Sequence, residues 1–175
     1  MIRIDGIGMP ILAAAAVALV MALITPATAS DARSVALLGA QFQNDNEMYA
    51  PTSDAERARH ETVGKAFTEQ LAKSGHFEVK PVPRAMAAEI ETGQTLGECG
   101  GCEVDFGAAL GVDEVAWINV QKVSNLILNL NVYVADVKTK KMTFVRSIDI
   151  RGNTDESWWR GITFLVQNYL LSGQG

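Results

Sequence analysis

The chain has 175 residues, 15 basic against 20 acidic side chains, a net charge of −5 and only two cysteines. A polyanion is held by basic residues that displace its counterions, so this balance argues against a nucleic acid partner. The length holds one domain with its own core, and no internal repeat or low-complexity tract is present.

Residues 1–29 read as a secretory signal peptide. Arg3 gives a positive start, residues 11–24 form a continuous apolar stretch, and Ala27-Thr28-Ala29 supplies the small-x-small pattern before Ser30. The apolar run is short for a membrane span of about 20 residues, and Pro26 follows it. Cleavage is therefore expected to release a soluble periplasmic product, residues 30–175, with no stable membrane insertion. Arg3 and Asp5 leave together, which keeps the charge at −5.

The run 34–42, "SVALLGAQF", reads as a buried first strand ending in the polar "QNDNE". Ser53 and Glu56 form a capping box for a helix over 54–74, carried by Val63, Ala66, Phe67 and Leu71 and stopped at Ser74-Gly75. Residues 76–82 suit a short strand near a sheet edge, limited by Pro81 and Pro83. A brief alanine-rich helix, 84–91, follows. Cys102, Phe106 and Leu110 lie one turn apart before Gly111, which makes 102–110 a short helix. Residues 112–123 form the next strand. Over 125–137, Leu128, Leu130, Val132 and Val134 face a core while Asn129, Asn131 and Tyr133 look away. A turn at 136–141 leads to a third consecutive strand, and residues 153–171 close the chain as a helix. Asn153 or Thr154 caps it, with Glu156 placed to reciprocate for Asn153. Trp159, Ile162, Val166, Tyr169 and Leu170 would face the sheet. The order is strand, helix, strand, helix, three strands, helix, an α/β (α+β) single domain with a mixed sheet.

Several of these residues carry a resemblance. Val35 to Leu38, Leu71, Gly75, Phe77 and Val79, then Ala109, Leu110, Gly111, Asp113 and Val115, then Asp136, Thr139 and Lys140, resemble the TolB amino-terminal domain and the CsgG and LpoB group of envelope proteins. That resemblance implies a TolB-like domain working through protein contacts. "CGGCE" (99–103), "QKVSNLILNLNVYV" (121–134) and "DIRGNTDESW" (149–158) are also similar to a set of uncharacterised secreted proteobacterial proteins, which implies no reaction.

Cys99 and Cys102 leave several chemistries to weigh. Haem attachment needs a histidine at 103, where Glu stands. Zinc needs two further ligands, and only His60 and His76 are on offer, far apart. Thiol–disulfide exchange would draw on the helix start, but Glu103 and Asp105 disfavour a thiolate. A structural disulfide in an oxidising compartment is the favoured reading.

The polar segments 43–47 and 152–157 offer oxygen ligands without the spacing of a calcium loop, and turn and cap chemistry accounts for them. Together with the connection around 122–125 they define an expected binding rim: Asn44, Asp45 and Asn46; Lys122, Ser124 and Asn125; Arg151, Asn153, Asp155 and Trp158. Ser124 lacks a histidine or a nucleophile elbow, so a hydrolase is unsupported. One ring of Trp158-Trp159 should reach the core and the other a partner. The sequence thus reads as a non-catalytic periplasmic accessory protein that needs no cofactor or metal and binds another envelope protein. The alternative is a thiol–disulfide or metal-handling factor centred on Cys99 and Cys102.

Overall fold

Val35 points to one side of the first strand and Ala36 and Leu38 to the other, and all three are buried. A strand in that position needs layers above and below it. The computed structural model, which describes Ile2 and residues 32–174, supplies both. The signal-peptide reading falls on residues outside those described, Ile2 apart.

The elements are β1 (Arg33–Asn44), α1 (Asp54–Ser74), β2 (Phe77–Val79), α2 (Arg84–Thr92), α3 (Cys102–Leu110), β3 (Glu114–Lys122), β4 (Ile127–Asp136), β5 (Lys141–Arg151) and α4 (Asp155–Leu165). All lie in the unit Asp31–Gly175. The sheet runs β2-β1-β3-β4-β5. Helical crossovers make β2, β1 and β3 parallel, and hairpin connections make β3, β4 and β5 antiparallel. The fold is therefore the mixed α/β sheet expected. Its second helical position holds two helices, and β2 is cut to three residues by the prolines after it.

One face of the sheet packs against α1 and α4 through Val63, Phe67, Leu71, Ile162 and Leu165, over Ile118, Leu128 and Leu130. Each such fully buried side chain contributes about 1.5–3 kcal/mol. The other face packs against α2 and α3 through Ile90 and Val104, over Ala36, Leu38, Val115 and Trp117. Gly107 lets α3 approach the sheet, for a Cβ there would lie 2.5 Å from Val137 and 2.6 Å from Val115. The register of β1 against β3 slips between Leu37 and Gly39. This bulge puts Leu38 and Gly39 on one face, so Ala40 and Phe42 join Val35 and Leu37 on the α1/α4 side.

The last helix departs from the sequence reading. Trp158 is 1% exposed and Trp159 54%, and Tyr169 is also open to solvent. Thr154 is the N-cap and Ser157, not Glu156, returns the bond. Starting there, Trp158, Ile162 and Leu165 form the inward stripe. A π-helical turn over Val166–Leu170 then widens the spiral, keeping Leu170 inside and rotating Tyr169 outward. Outside, the Tyr169 ring meets Phe164 edge-on and lies beneath the Arg146 guanidinium.

Candidate functional site

The carboxyl ends of β1 and β3, the turn after β5 and the amino ends of α1 and α4 meet at one rim of the sheet. A buried ion pair sits at its centre. Lys122 is the last residue of β3, in phase with Ile118 and Val120, so its side chain points into the α1/α4 layer rather than into a recognition loop. Its Nζ lies 2.7 Å from Glu56 Oε1, with both side chains 3% exposed or less, and also donates to Ala50 O at 3.3 Å.

Glu56 is the third residue of α1. Its Oε2 accepts from the Ser53 backbone N–H at 2.7 Å and from Ser53 Oγ at 2.9 Å, closing the capping box. Its Oε1 accepts from Asn153 Nδ2 at 2.6 Å. Burial opposes ionisation, but the Lys122 ammonium, the Ser53 N–H and the Asn153 amide outweigh it and hold the Glu56 carboxyl at about 2. Asn153 Oδ1 in turn accepts from Trp158 Nε1 at 2.9 Å and from Arg59 Nη1 at 3.2 Å. Arg59 Nε also reaches Asp155 at 2.6 Å. The Trp158 ring stacks on Phe42 at 5.7 Å, so Trp158 anchors the network from the core. Its expected contact with a partner is corrected accordingly: the exposed ring of the pair is Trp159.

The neighbouring loops are laced to this centre. Asn44 Nδ2 donates to Ala50 O and Glu47, and its Oδ1 caps Asn46. Asn46 Nδ2 reaches across to Val123 O at 2.6 Å, joining the loop after β1 to the β3–β4 connection. Asp45 accepts from Gln121 at 2.6 Å and from Gln43 at 2.8 Å. Ser124 Oγ accepts from the backbone of Leu126 and Ile127 and shapes its turn. Asn125 and Arg151 stand exposed. Most of the rim residues named from sequence are therefore brought to one place, where they brace one another. Among these exposed polar groups the rim also holds large apolar side chains in water: Met48 is 85% exposed, Tyr49 86% and Leu126 73%, with Val123 and Ile127 beside them in the chain. The sequence reading passed over these side chains, although "MYA" set among turn-forming residues was the available signal.

Cys99 and Cys102 take no part in the rim. They are joined as a disulfide with Cα atoms 5.6 Å apart, at the start of α3. The ligand atoms of Cys99, Cys102 and Glu103 lie within 4.8 Å of one another. Both sulfurs are bonded to each other, however, and Glu103 accepts the Gly97 N–H, so in this state the group offers no thiolate. A second polar cluster, not foreseen, fixes the opposite end of the sheet. There Arg33 pairs with buried Glu114 and with Asp136, each at 3.0 Å. Burial pushes the Glu114 carboxyl up, against the bond from Thr143 and the charge of Arg33.

Comparison with known proteins places this architecture. The model of the family DUF3280, described as "Protein of unknown function (DUF2380)", matches residues 33–170. The chain belongs to this family. No curated protein matches it. Among solved structures, the DUF3280 chain is similar to lipoprotein GNA1162 from Neisseria meningitidis, with 14% identity and a TM-score of 0.51 over 79% of this chain and 96% of that one. The LpoB C-terminal domain from Salmonella enterica matches at 13% identity and TM-score 0.47, over 68% and 82%. TolB from Acinetobacter baumannii matches at 12% and 0.46, over 79% and 28%. The likeness to the lipoprotein is one of fold. No helix among the described residues is long and apolar enough to cross a membrane.

Proposed function

We propose that this protein is a non-catalytic accessory factor of the cell envelope that binds another envelope protein through the rim. The observation that carries the reading is an ordered polar scaffold, Lys122–Glu56–Asn153–Trp158, beneath loops that hold large apolar side chains in water. Exposed Met48, Tyr49 and Leu126 cost free energy in solution and are recovered when a partner covers them. Bracing by Asn46 and Asn44 lowers the ordering cost on binding, which favours a preformed contact. Export is supported by the leader-like residues 1–29, and the likeness to GNA1162, a lipoprotein, agrees with an envelope setting.

Photo-crosslinking in cells tests this. A photoreactive residue at Tyr49 or Leu126 should yield one common adduct with an envelope protein, and the same group at Lys138, on the β4–β5 turn, should not. Met48→Ser with Leu126→Ser should abolish the adduct while leaving the fold intact. Equal labelling from all three positions, or none from the rim, refutes the reading.

A further inference from the structure

Helices α2 and α3 cover only part of their face of the sheet. Beside them lies a cleft of about 520 Å³, floored by β3 and β4 and walled by residues 95–98. The strand register arranges this face of the sheet, of which the floor is a part, in rows. Gln41, Asn119, Asn131 and Ser147 stand side by side across four strands, and Gln43, Gln121 and Asn129 form the next row. In the row on the other side, Trp117 and Tyr133 stack with centroids 5.3 Å apart, next to exposed Val145. Asparagine is depleted in strands, so β-propensity does not account for such a carpet of amides.

The floor of this cleft is polar and incompletely satisfied. Trp117 is 5% exposed and its Nε1 has no hydrogen-bond partner, and neither has the buried Asn119 Oδ1. Buried polar groups are nearly always satisfied, and here one unpartnered donor and one unpartnered acceptor lie two residues apart on one strand face. Among the described residues, Glu98 is the only charged side chain lining the cleft, which gives an anion no counter-charge. Amides donate and accept, as hydroxyl groups do, while Tyr133, Val145 and Met142 supply an apolar strip. We propose that the cleft binds a neutral oligosaccharide, its hydroxyl groups on the Asn119–Asn131 row and its apolar ring face over Tyr133 and Val145, with the Trp117 indole beneath that face as the reporter of binding.

The same reading gives the cysteine pair a task. With its amide turned so that the nitrogen faces Leu96 O, Gln41 makes two bonds of 3.2 Å to the Leu96 backbone, and Glu103 holds the Gly97 N–H. Gly97 adopts φ 92°, and a Cβ there would lie 3.4 Å from Trp117 Nε1, over the free donor. The Cys99–Cys102 bond closes the chain directly after this wall and fixes where it stands.

The protein carries three tryptophans, so indole ¹⁵N labelling gives a simple spectrum in which Trp117→Phe identifies the signal concerned. Purified protein is titrated with chitotetraose, cellotetraose and maltotetraose. At least one should shift the Trp117 indole resonance saturably. Asn131→Ala should weaken that binding about tenfold, the effect of one lost hydrogen bond, and Cys99→Ser with Cys102→Ser should weaken it as well. No saturable shift with any of the three sugars overturns the proposal, and because that titration uses the unaltered protein it stands even if a variant fails to fold. A shift indifferent to Asn131→Ala overturns it too, as does a signal that answers to an uncharged peptide and not to the sugars.

Discussion

Lys122→Met isolates the buried pair. The substitution keeps the length of the stem and removes the ammonium from a carboxylate that is 2% exposed. Removing one partner of a buried pair costs about 3–5 kcal/mol. Glu56 would retain three donors, Ser53 N, Ser53 Oγ and Asn153 Nδ2, which places the loss near the lower end, about 3 kcal/mol. The Glu56 carboxyl, held at about 2 against an ordinary 4.5, owes that depression to Ser53 and Asn153 as well as to Lys122, so ionised Glu56 as a whole stabilises the fold at neutral pH. Because the folded value is depressed, this stabilisation is complete above 4.5 and is lost as pH falls towards 2. The variant's deficit should therefore shrink in acid, where a protonated Glu56 no longer needs the cation. Urea denaturation followed by circular dichroism, near neutral pH and at about pH 3, measures both effects. A deficit below about 1 kcal/mol at neutral pH, or one equal at the two pH values, would show that the pair does not brace the rim.

Further outcomes follow from packing. Trp158→Ala should cost about 3–5 kcal/mol by thermal or chemical unfolding, whereas Trp159→Ala should change stability by less than about 0.5 kcal/mol. Gly107→Ala forces a methyl group against Val115 and Val137 and should cost about 1–3 kcal/mol, seen as a lowered melting temperature. Replacing both cysteines by serine should remove about 2 kcal/mol and leave the protein folded, since the disulfide closes so small a ring. Mass spectrometry after thiol labelling of the unaltered protein should find no free thiol.

The strands and helices were legible because their periods are strong. Alternation over Leu128 to Val134 fixed the inward face of β4, and Ser53 with Glu56 fixed the start of α1. Two irregularities were not legible. The π turn at Val166–Leu170 changes the phase of its helix without any marker residue such as proline, and at the bulge the cue was Gly39, an isolated glycine within a strand, whose effect on the phase only the pairing with β3 reveals. The π turn is why Tyr169 was expected inside, and the position of the cap at Thr154 is why Trp159 was expected there in place of Trp158. At the rim, polar residues announced where the chain turns, but pairing Lys122 with Glu56 joins positions 66 apart in sequence and depends on which strands are neighbours. The cleft was hidden for a similar reason: its rows of amides exist only after four strands have been set in register.

The slip at Leu38 works as a change of gear within one strand. Before it the odd-numbered side chains of β1 meet the α1/α4 layer, and after it the even-numbered ones do. Phe42 thereby reaches Trp158 while Gln41 and Gln43 turn to the opposite surface. Ironing out that single irregularity would send an aromatic ring into water and two amides into oil, so the dry and the wet sides of this molecule are kept distinct by one residue of slack.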